Sequence, residues 1–480
     1  YDVSSRFPHN AHWAFFPSAS LGYRFSEEPY FKPLKQYVSN GKLRASFGEI
    51  GNEAVGDYMF EELISQMKEK DVYWVDSNKE NANWLTMYNM PKLVASSLTW
   101  ERIRTTDIGV DLGFLNNELI IGFDWFQREN RDMLAPSQVL PQVLGAPAPM
   151  QNAGTLRTRG WEFTADWHHR FGQVNVYANF NLSDSKTVVT KWDNPSKLLN
   201  SNYSGKTYGD IWGFETDRYF ERSDFTGQNP DKSWNYQTGV ASQKGLEQGS
   251  FHYGPGDIKF KDLDGNGVIN GGKGTADDHG DLKVIGNFLP RYEYSFHLGG
   301  SWNGFDVDFF FQGVGKREVW TISSMNFPLM RSADLALYAH QNSYNKVLYT
   351  PDMKTVLGYE INQGNKYPRL YPGNEARGTV SGIENGRYNY YPQSRYLTDM
   401  SYLRLKNITI GYTLPKELTR KAYIQKARIY FSANNVCLLY RGNDLPIDPE
   451  VDTGEGVKFG GWGRTAPITR TFSFGMQVTL

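Results

Sequence analysis

Thr469-Arg-Thr-Phe-Ser-Phe-Gly-Met-Gln-Val-Thr-Leu480 is the stretch that decides the fold. Side chains alternate along a strand, so Arg470, Phe472, Phe474, Met476, Val478 and Leu480 share one face. Thr469, Thr471, Ser473, Gly475, Gln477 and Thr479 share the other. From Phe472 onward one face is apolar, while the opposite face is small and polar throughout. In a soluble domain, so apolar a terminal strand is an open edge that invites aggregation. In a closed barrel with lipid outside and water inside, the same pattern is required.

The 480 residues have room for two or three soluble domains or one large barrel. Hydrophobic residues make up 39% and mean hydropathy is -0.57, so the average residue is polar. No apolar run reaches the roughly 18 residues that mark a membrane-spanning helix. A barrel is still allowed, because only alternate strand residues need be apolar. Aromatics at 15% are heavy for a soluble enzyme, and 47 glycines suit a chain with many turns. A net charge of -1 gives no case for nucleic acid. Cys437 has no partner for an internal disulfide. Tyr1-Asp-Val-Ser-Ser is not a signal segment, so a mature chain or a piece of a longer one is expected.

The alternation recurs upstream. It runs through Trp13, Phe15, Ala19, Leu21, Tyr23 and Phe25, through Leu43, Ala45 and Phe47, and through Ile108, Val110, Leu112 and Phe114. Asn116-Asn117 turns the last of these into Leu119, Ile121, Phe123 and Trp125. Trp161, Phe163, Ala165 and Trp167 pair across Phe171-Gly172 with Val174, Val176, Ala178, Phe180 and Leu182. Tyr292 to Trp302 and Phe305 to Phe311 flank Asn303-Gly304, the strongest two-residue hairpin signal. Tyr402 to Leu414 changes apolar parity near Lys406-Asn407, as a bulge would cause. Ala427, Ile429, Phe431 and Ala433 precede the final strand. Between these lie irregular stretches at 48–97, 128–154, 183–289, 313–399 and 438–465, the first with a predicted helix over Glu61 to Lys70.

About eleven strands result, joined by connections that alternate short and long. That is the signature of outer-membrane barrels, with short periplasmic turns and long outer loops. The outward sets carry almost no charge, and a Lys or Arg at mid-bilayer costs roughly 2–4 kcal/mol. Trp13, Trp100, Trp125, Trp161, Trp302, Tyr402 and Tyr412 sit near strand ends, as interface girdles do. Eleven is odd, whereas single-chain barrels have an even count, so the C-terminal part of a larger barrel is expected. The competing reading is a soluble sandwich or propeller, but such folds use short loops on both sides.

Several blocks resemble the C-terminal barrel of SusC/RagA-family TonB-dependent transporters. They include Trp13-Ala-Phe-Phe-Pro-Ser-Ala-Ser-Leu-Gly-Tyr-Arg24, Lys42-Leu-Arg-Ala-Ser-Phe-Gly48, Gln151-Asn-Ala-Gly154 and Arg159-Gly-Trp-Glu162. Pro255-Gly-Asp-Ile-Lys-Phe-Lys-Asp-Leu-Asp-Gly-Asn-Gly267 and Val284-Ile-Gly-Asn287 are also similar. Ser401-Tyr-Leu-Arg-Leu-Lys-Asn407 with Gly411-Tyr-Thr-Leu-Pro415 is the most specific block, followed by Ala433-Asn-Asn-Val436 and Asp448-Pro-Glu450. The resemblance implies an all-β transmembrane antiparallel barrel of about 22 strands around a plugged lumen, with residues 1–480 as its C-terminal portion. The family's N-terminal extension, TonB-contacting segment and plug are not visible in this sequence. The implied job is nutrient import through the outer membrane. A SusD-like surface lipoprotein would be the lid, TonB would displace the plug, and an oligosaccharide or oligopeptide would be the cargo. Two such transporter–lid pairs could form a dimer.

No catalytic set rises above background, so the chain reads as a non-enzyme. Asp262, Asp264 and Asn266 with Gly267 and the Val268 carbonyl follow a calcium-loop spacing. Lys273 stands where a bidentate Glu belongs, and Asp277, Asp278 or Asp281 could stand in only after a detour. The plainer reading is a tight polar turn. Trp74, Trp84, Trp212, Trp234, Trp320, Tyr390 and Trp462 fall in long loops, where they could stack on sugars, meet a partner or hold the loops together. His168-His169 point to opposite faces and cannot chelate as a unit. The alternative function is a soluble secreted carbohydrate-binding or carbohydrate-cleaving β-protein. A passive porin is disfavoured by the loop lengths.

Overall fold

The computed structural model describes residues 1–57, 59–62, 64, 73–75, 82–84, 88, 93–95, 97–136, 149–321, 326–329, 343–371, 379–380, 383–384, 388–450, 465–466 and 468–479. Of the predicted helix at 61–70, all but 61, 62 and 64 falls outside the described residues. Eleven strands form one sheet: β1 Ser18–Tyr23, β2 Val38–Asn52, β3 Glu101–Phe114, β4 Leu119–Pro136, β5 Met150–Phe171, β6 Val174–Lys191, β7 Arg291–Trp302, β8 Phe305–Lys316, β9 Tyr402–Thr413, β10 Lys426–Arg441 and β11 Thr471–Thr479. Each pairs antiparallel with its neighbours in sequence, so the sheet is an up-and-down meander with no crossover.

The turns are as the sequence reads. Asn303 and Gly304 both have positive φ, 45° and 88°, and join β7 to β8 in two residues. Leu115, Asn116 and Asn117 lie at φ 53°, 57° and 66° between β3 and β4. The basic turn after β9 holds one helical turn, Lys416–Thr419. The parity change in β9 is a bulge: Phe310 pairs with Asn407 and Phe311 with Leu405, so Lys406 is extra.

The strands outrun their apolar alternation. β4 and β5 extend to Pro136 and from Met150, into what reads as a loop, and β6 continues nine residues past Leu182 to Lys191. Hydrogen bonding carries the ladder on beyond the apolar belt, where no hydrophobic period remains. The first strand is shorter than expected. Pro17 splits it, so Trp13–Ala14 pairs with Asp2–Val3 instead of joining the sheet.

The apolar face is uncovered. Phe472 is 63% exposed, Phe474 83% and Ile410 48%, and Leu21, Leu43, Ile108, Leu298, Phe305 and Ile429 are exposed on the same side. Its rings touch across strands, as at Phe296–Phe311 (4.6 Å) and Phe123–Trp161 (6.4 Å). From Trp161 to Phe171 the band spans ten residue steps of about 3.4 Å at roughly 40° tilt, or about 25 Å, the height of a barrel's lipid-facing belt. A soluble secreted β-protein would have to cover such a face, so that alternative gives way.

Buried side chains gather in the loops instead. The largest apolar cluster among the described residues joins the β6–β7 connection (192–290) to the β8–β9 connection (317–401) and includes Phe214, Tyr219, Phe251, Tyr253, Phe260, Tyr367, Tyr391 and Tyr396.

Candidate functional site

The second face of the sheet is a polar wall. Successive strands contribute Arg44, Asp111, Asp124, Thr164, Asn181, Ser295, Asp306, Asp308, Thr409, Arg428, Ser432 and Ser473. Three ties on this wall cross a whole strand, each over a glycine. Arg44 on β2 donates to Asp111 on β3 (2.8 and 2.9 Å) and also to Asp124 on β4 (2.9 Å). It passes over Gly109, where a Cβ would collide with Asp124 Oδ1. Arg428 on β10 donates to Asp306 on β8 (Nε–Oδ1 2.9 Å) over Gly411 of β9. Tyr177 on β6 donates its hydroxyl to Asp308 on β8, its ring lying over Gly299 of β7. The glycines let long charged and phenolic side chains lie along the wall, where Arg44 faces two aspartates, Arg428 faces one, and Asp308 is held by a phenol. Small amides and hydroxyls fill the rest: Asn407 Nδ2 donates to Asn434 (2.7 Å) and Thr409 to Ser432 (3.2 Å).

Two sequence blocks meet at the loop end of this wall. Arg404, from the Ser401–Asn407 block, is only 7% exposed and lies between Asp448 (2.6 Å) and Glu450 (2.8 Å) of the Asp448-Pro-Glu450 block. Lys406 also pairs with Glu450. The last long loop is thereby pinned to the strands.

A buried ion pair locks the two largest loops together. Asp257 has no exposure. Its carboxylate accepts from Arg369 Nε (3.0 Å) and Nη2 (2.6 Å), Asn389 Nδ2 (2.9 Å) and the Gly254 amide (2.9 Å). Arg369 Nη2 also donates to the His252 carbonyl (2.8 Å), and Asn389 Oδ1 accepts from the Ile258 amide (2.8 Å). Asp257 lies in the Pro255–Gly267 block, yet spacing alone carries no sign of its role, because both partners come from another loop more than a hundred residues on.

The loop aromatics divide. Trp234 is 5% exposed and Tyr390 3%, so both are interior to the lobe and a surface-contact role for them is corrected to packing. Trp234 lies against Phe225 (5.2 Å) and under the Arg222 guanidinium (5.0 Å); Tyr390 stacks on Phe327 (4.6 Å). In a long loop, burying large rings is what offsets the ordering entropy. Trp212 and Trp320 are half-buried, against His279 (5.3 Å) and Phe327 (5.3 Å). Trp74 and Trp84 fall on a small hairpin, Tyr73–Val75 with Ala82–Trp84, whose side chains are outside the described residues, as is the whole of Trp462.

The acidic turn closes on itself. Asp262 accepts the amides of Gly265 and Gly267 (both 2.8 Å), Asp264 that of Asn266 (3.0 Å), and Asn266 that of Val268 (2.8 Å). The Val268 carbonyl accepts from Asn270 Nδ2 (3.0 Å), and Lys273 turns to Asp278 (3.4 Å). Of the three stand-ins, Asp281 is the one brought close: its oxygens lie within 4.8 Å of those of Asp262 and Asp264. Burial raises the Asp281 pKa, and the negative charges of Asp264 and Asp262 raise it further. Three carboxylates are a donor set suited to a hard cation such as calcium.

Comparison with known proteins agrees with this architecture. TonB-dependent receptor P3 of Formosa agariphila is 26% identical over 502 residues, covering 99% of this chain and 43% of that protein. TonB-dependent receptor SusC of Bacteroides thetaiotaomicron is 25% identical over 477 residues, covering 95% of this chain and 39% of the relative. The chain thus spans about two fifths of the length of these relatives. A solved structure of the RagAB peptide transporter superposes with a TM-score of 0.64 at 20% identity, over 99% of this chain and 44% of that one, and shows the same fold. The family model for the TonB dependent receptor-like beta-barrel matches residues 1–252, more than half of the sequence. An uncovered apolar band, a polar inner wall and these matches together place the chain in the outer membrane. It belongs to the TonB dependent receptor-like, beta-barrel family.

Proposed function

We propose that all 480 residues form the C-terminal portion of the barrel of a TonB-dependent nutrient importer. It would work with a SusD-like lipoprotein lid, pass oligosaccharides or oligopeptides inward, and depend on TonB through a part of the protein outside this sequence. A dimer of transporter–lid pairs belongs to the same proposal. One observation carries the reading: a polar wall, its charged side chains tied across strands, ends in a lobe of two long loops joined through Asp257 and Arg369. A passive pore has no use for a rigid, aromatic-cored lobe over its mouth. An importer needs a shaped surface on which a lid can seat, above a wall with few strong binding points. Transport then rests on binding and gating, with no covalent step. The supporting experiment is purification of the complete protein in mild detergent from its native host. A co-purifying surface lipoprotein with a bound sugar or peptide is expected. A transporter that purifies alone, empty, and conducts ions as an open pore would overturn the proposal.

A further inference from the structure

Above the apolar band, the lipid-facing side of β3–β6 changes character. Trp125 and Trp161 are paired in register and close the band on the long-loop side. The next residues on the same face, two positions further along each strand, are Gln127, Arg159 and Lys186. Two further positions give Arg104, Glu129 and Arg157, and beyond them lie Arg102 and Arg131. Six cations and, with Glu49 of β2, two carboxylates therefore face outward in three successive rows. The acids are largely committed: Glu49 pairs with Arg104 (2.5 Å) and Arg102 (3.5 Å), and Glu129 with Arg131 (2.5 Å). Asp184, the outward acid beside Trp161, is held by Arg291.

Arg159 and Lys186 stand directly opposite each other across the β5–β6 ladder, and both are exposed. Like charges in directly opposed cross-strand positions destabilise a sheet. Among the described residues, neither has a carboxylate within ion-pair distance; Arg159 donates only to the Gln127 side-chain oxygen (2.7 Å). An anion between them removes the repulsion and uses their free donors. Their height fixes which anion. One row is about 7 Å of strand, or roughly 5 Å along the membrane normal at barrel tilt. The pair thus lies just outside the hydrocarbon, at headgroup level, with Trp125 and Trp161 below it to pack against acyl chains.

We propose that Arg159 and Lys186, flanked by Arg157, form a binding site for the phosphate of a phosphorylated glycolipid in the outer leaflet, seated against the wall of β4–β6. The guanidinium and ammonium donate to phosphate oxygens while the acyl chains lie along the apolar band. The site takes the long loops to be external, as the proposed function does, but does not depend on cargo or lid.

The test uses the full-length transporter, delipidated in detergent, with diphosphoryl lipid A as probe and the same lipid stripped of its phosphates as comparator. Native mass spectrometry counts the adducts. The intact protein is expected to retain the phosphorylated lipid preferentially. Arg159→Gln/Lys186→Gln should weaken retention about tenfold or more while keeping the heat-dependent gel shift of a folded barrel. Lys186→Glu, which gives Arg159 an internal partner, should lose the lipid and melt no lower than the parent without lipid. Equal retention of the two lipids, or unchanged retention in Lys186→Glu, would overturn the site. Failure of cargo uptake with lipid retention intact would count only against the import reading.

Discussion

Replacing Asp257 by alanine is the sharpest probe of the loop lobe. The side chain is fully buried and accepts from four donor atoms, two of them on Arg369. Deleting one member of a buried pair leaves the other charged and unsolvated, which costs about 3–5 kcal/mol. The loss falls on the lobe, because Asp257, Arg369 and Asn389 all lie in the two loops and not in the sheet. If the lobe opens without the barrel, its open population rises roughly 150- to 4,000-fold. Hydrogen exchange of the detergent-solubilised protein reads this directly. Amides at 251–260 and 388–396 should lose protection, while those of β7–β10 keep theirs. Removing both charges, Asp257→Ala/Arg369→Met, should cost less than the sum of the single changes, since neither charge is then stranded. A single Asp257→Ala change that alters lobe protection by less than tenfold would refute the keystone role of the pair.

Four further outcomes follow from the geometry. Gly411→Val places a branched side chain under the Arg428–Asp306 tie and should lower resistance to urea by about 1–3 kcal/mol, whereas Gly227→Val, where a Cβ meets nothing within 4 Å, should have a small effect. Arg404→Gln should free the 442–450 segment to protease, because Asp448 and Glu450 lose the cation between them. Ile410→Arg on the lipid face should cost about 2–4 kcal/mol, and Thr409→Arg, one residue away on the water face, far less. Calcium should raise the melting temperature, and Asp281→Asn should abolish the increment; with no increment, the 262–270 loop is a polar turn alone. The pH sign for Asp281 is fixed by its raised folded pKa. Without a cation, stability is fully present below the ordinary carboxylate range and falls as pH rises toward the folded value, so any calcium increment should grow with pH.

Much of the sheet was legible because its solvent writes a period into the sequence. Wherever lipid meets one face and water the other, as at Phe472 to Val478 or Tyr292 to Trp302, alternation located the strand and the Asn303-Gly304 turn fixed its partner. The same reasoning could not see the ends. Thr187, Val188 and Val189 still pair with β5, but both their faces lie beyond the bilayer and no alternation survives there. The lobe was opaque for a different reason. Asp257 meets Arg369 across 112 residues, and Phe251 stacks on Tyr388, through contacts set by tertiary packing, which a local pattern does not encode. The loop aromatics carried an ambiguity that only burial resolves: Trp234 and Tyr390 fill an interior. The acidic turn was readable up to Asn266, while Asp281 came close only through the fold.

The most direct measurement is a nitroxide scan of the last strand in the full-length protein in bilayers, with Cys437 replaced by serine and single cysteines placed at each position from 471 to 479. Collision with oxygen, which concentrates in hydrocarbon, should peak at 472, 474, 476 and 478; collision with a water-soluble nickel chelate should peak at 471, 473, 475 and 477. A flat profile, or one in which the even positions are shielded from both reagents, would mean that Phe472 and its neighbours are packed inside protein, and the chain would not be a membrane barrel.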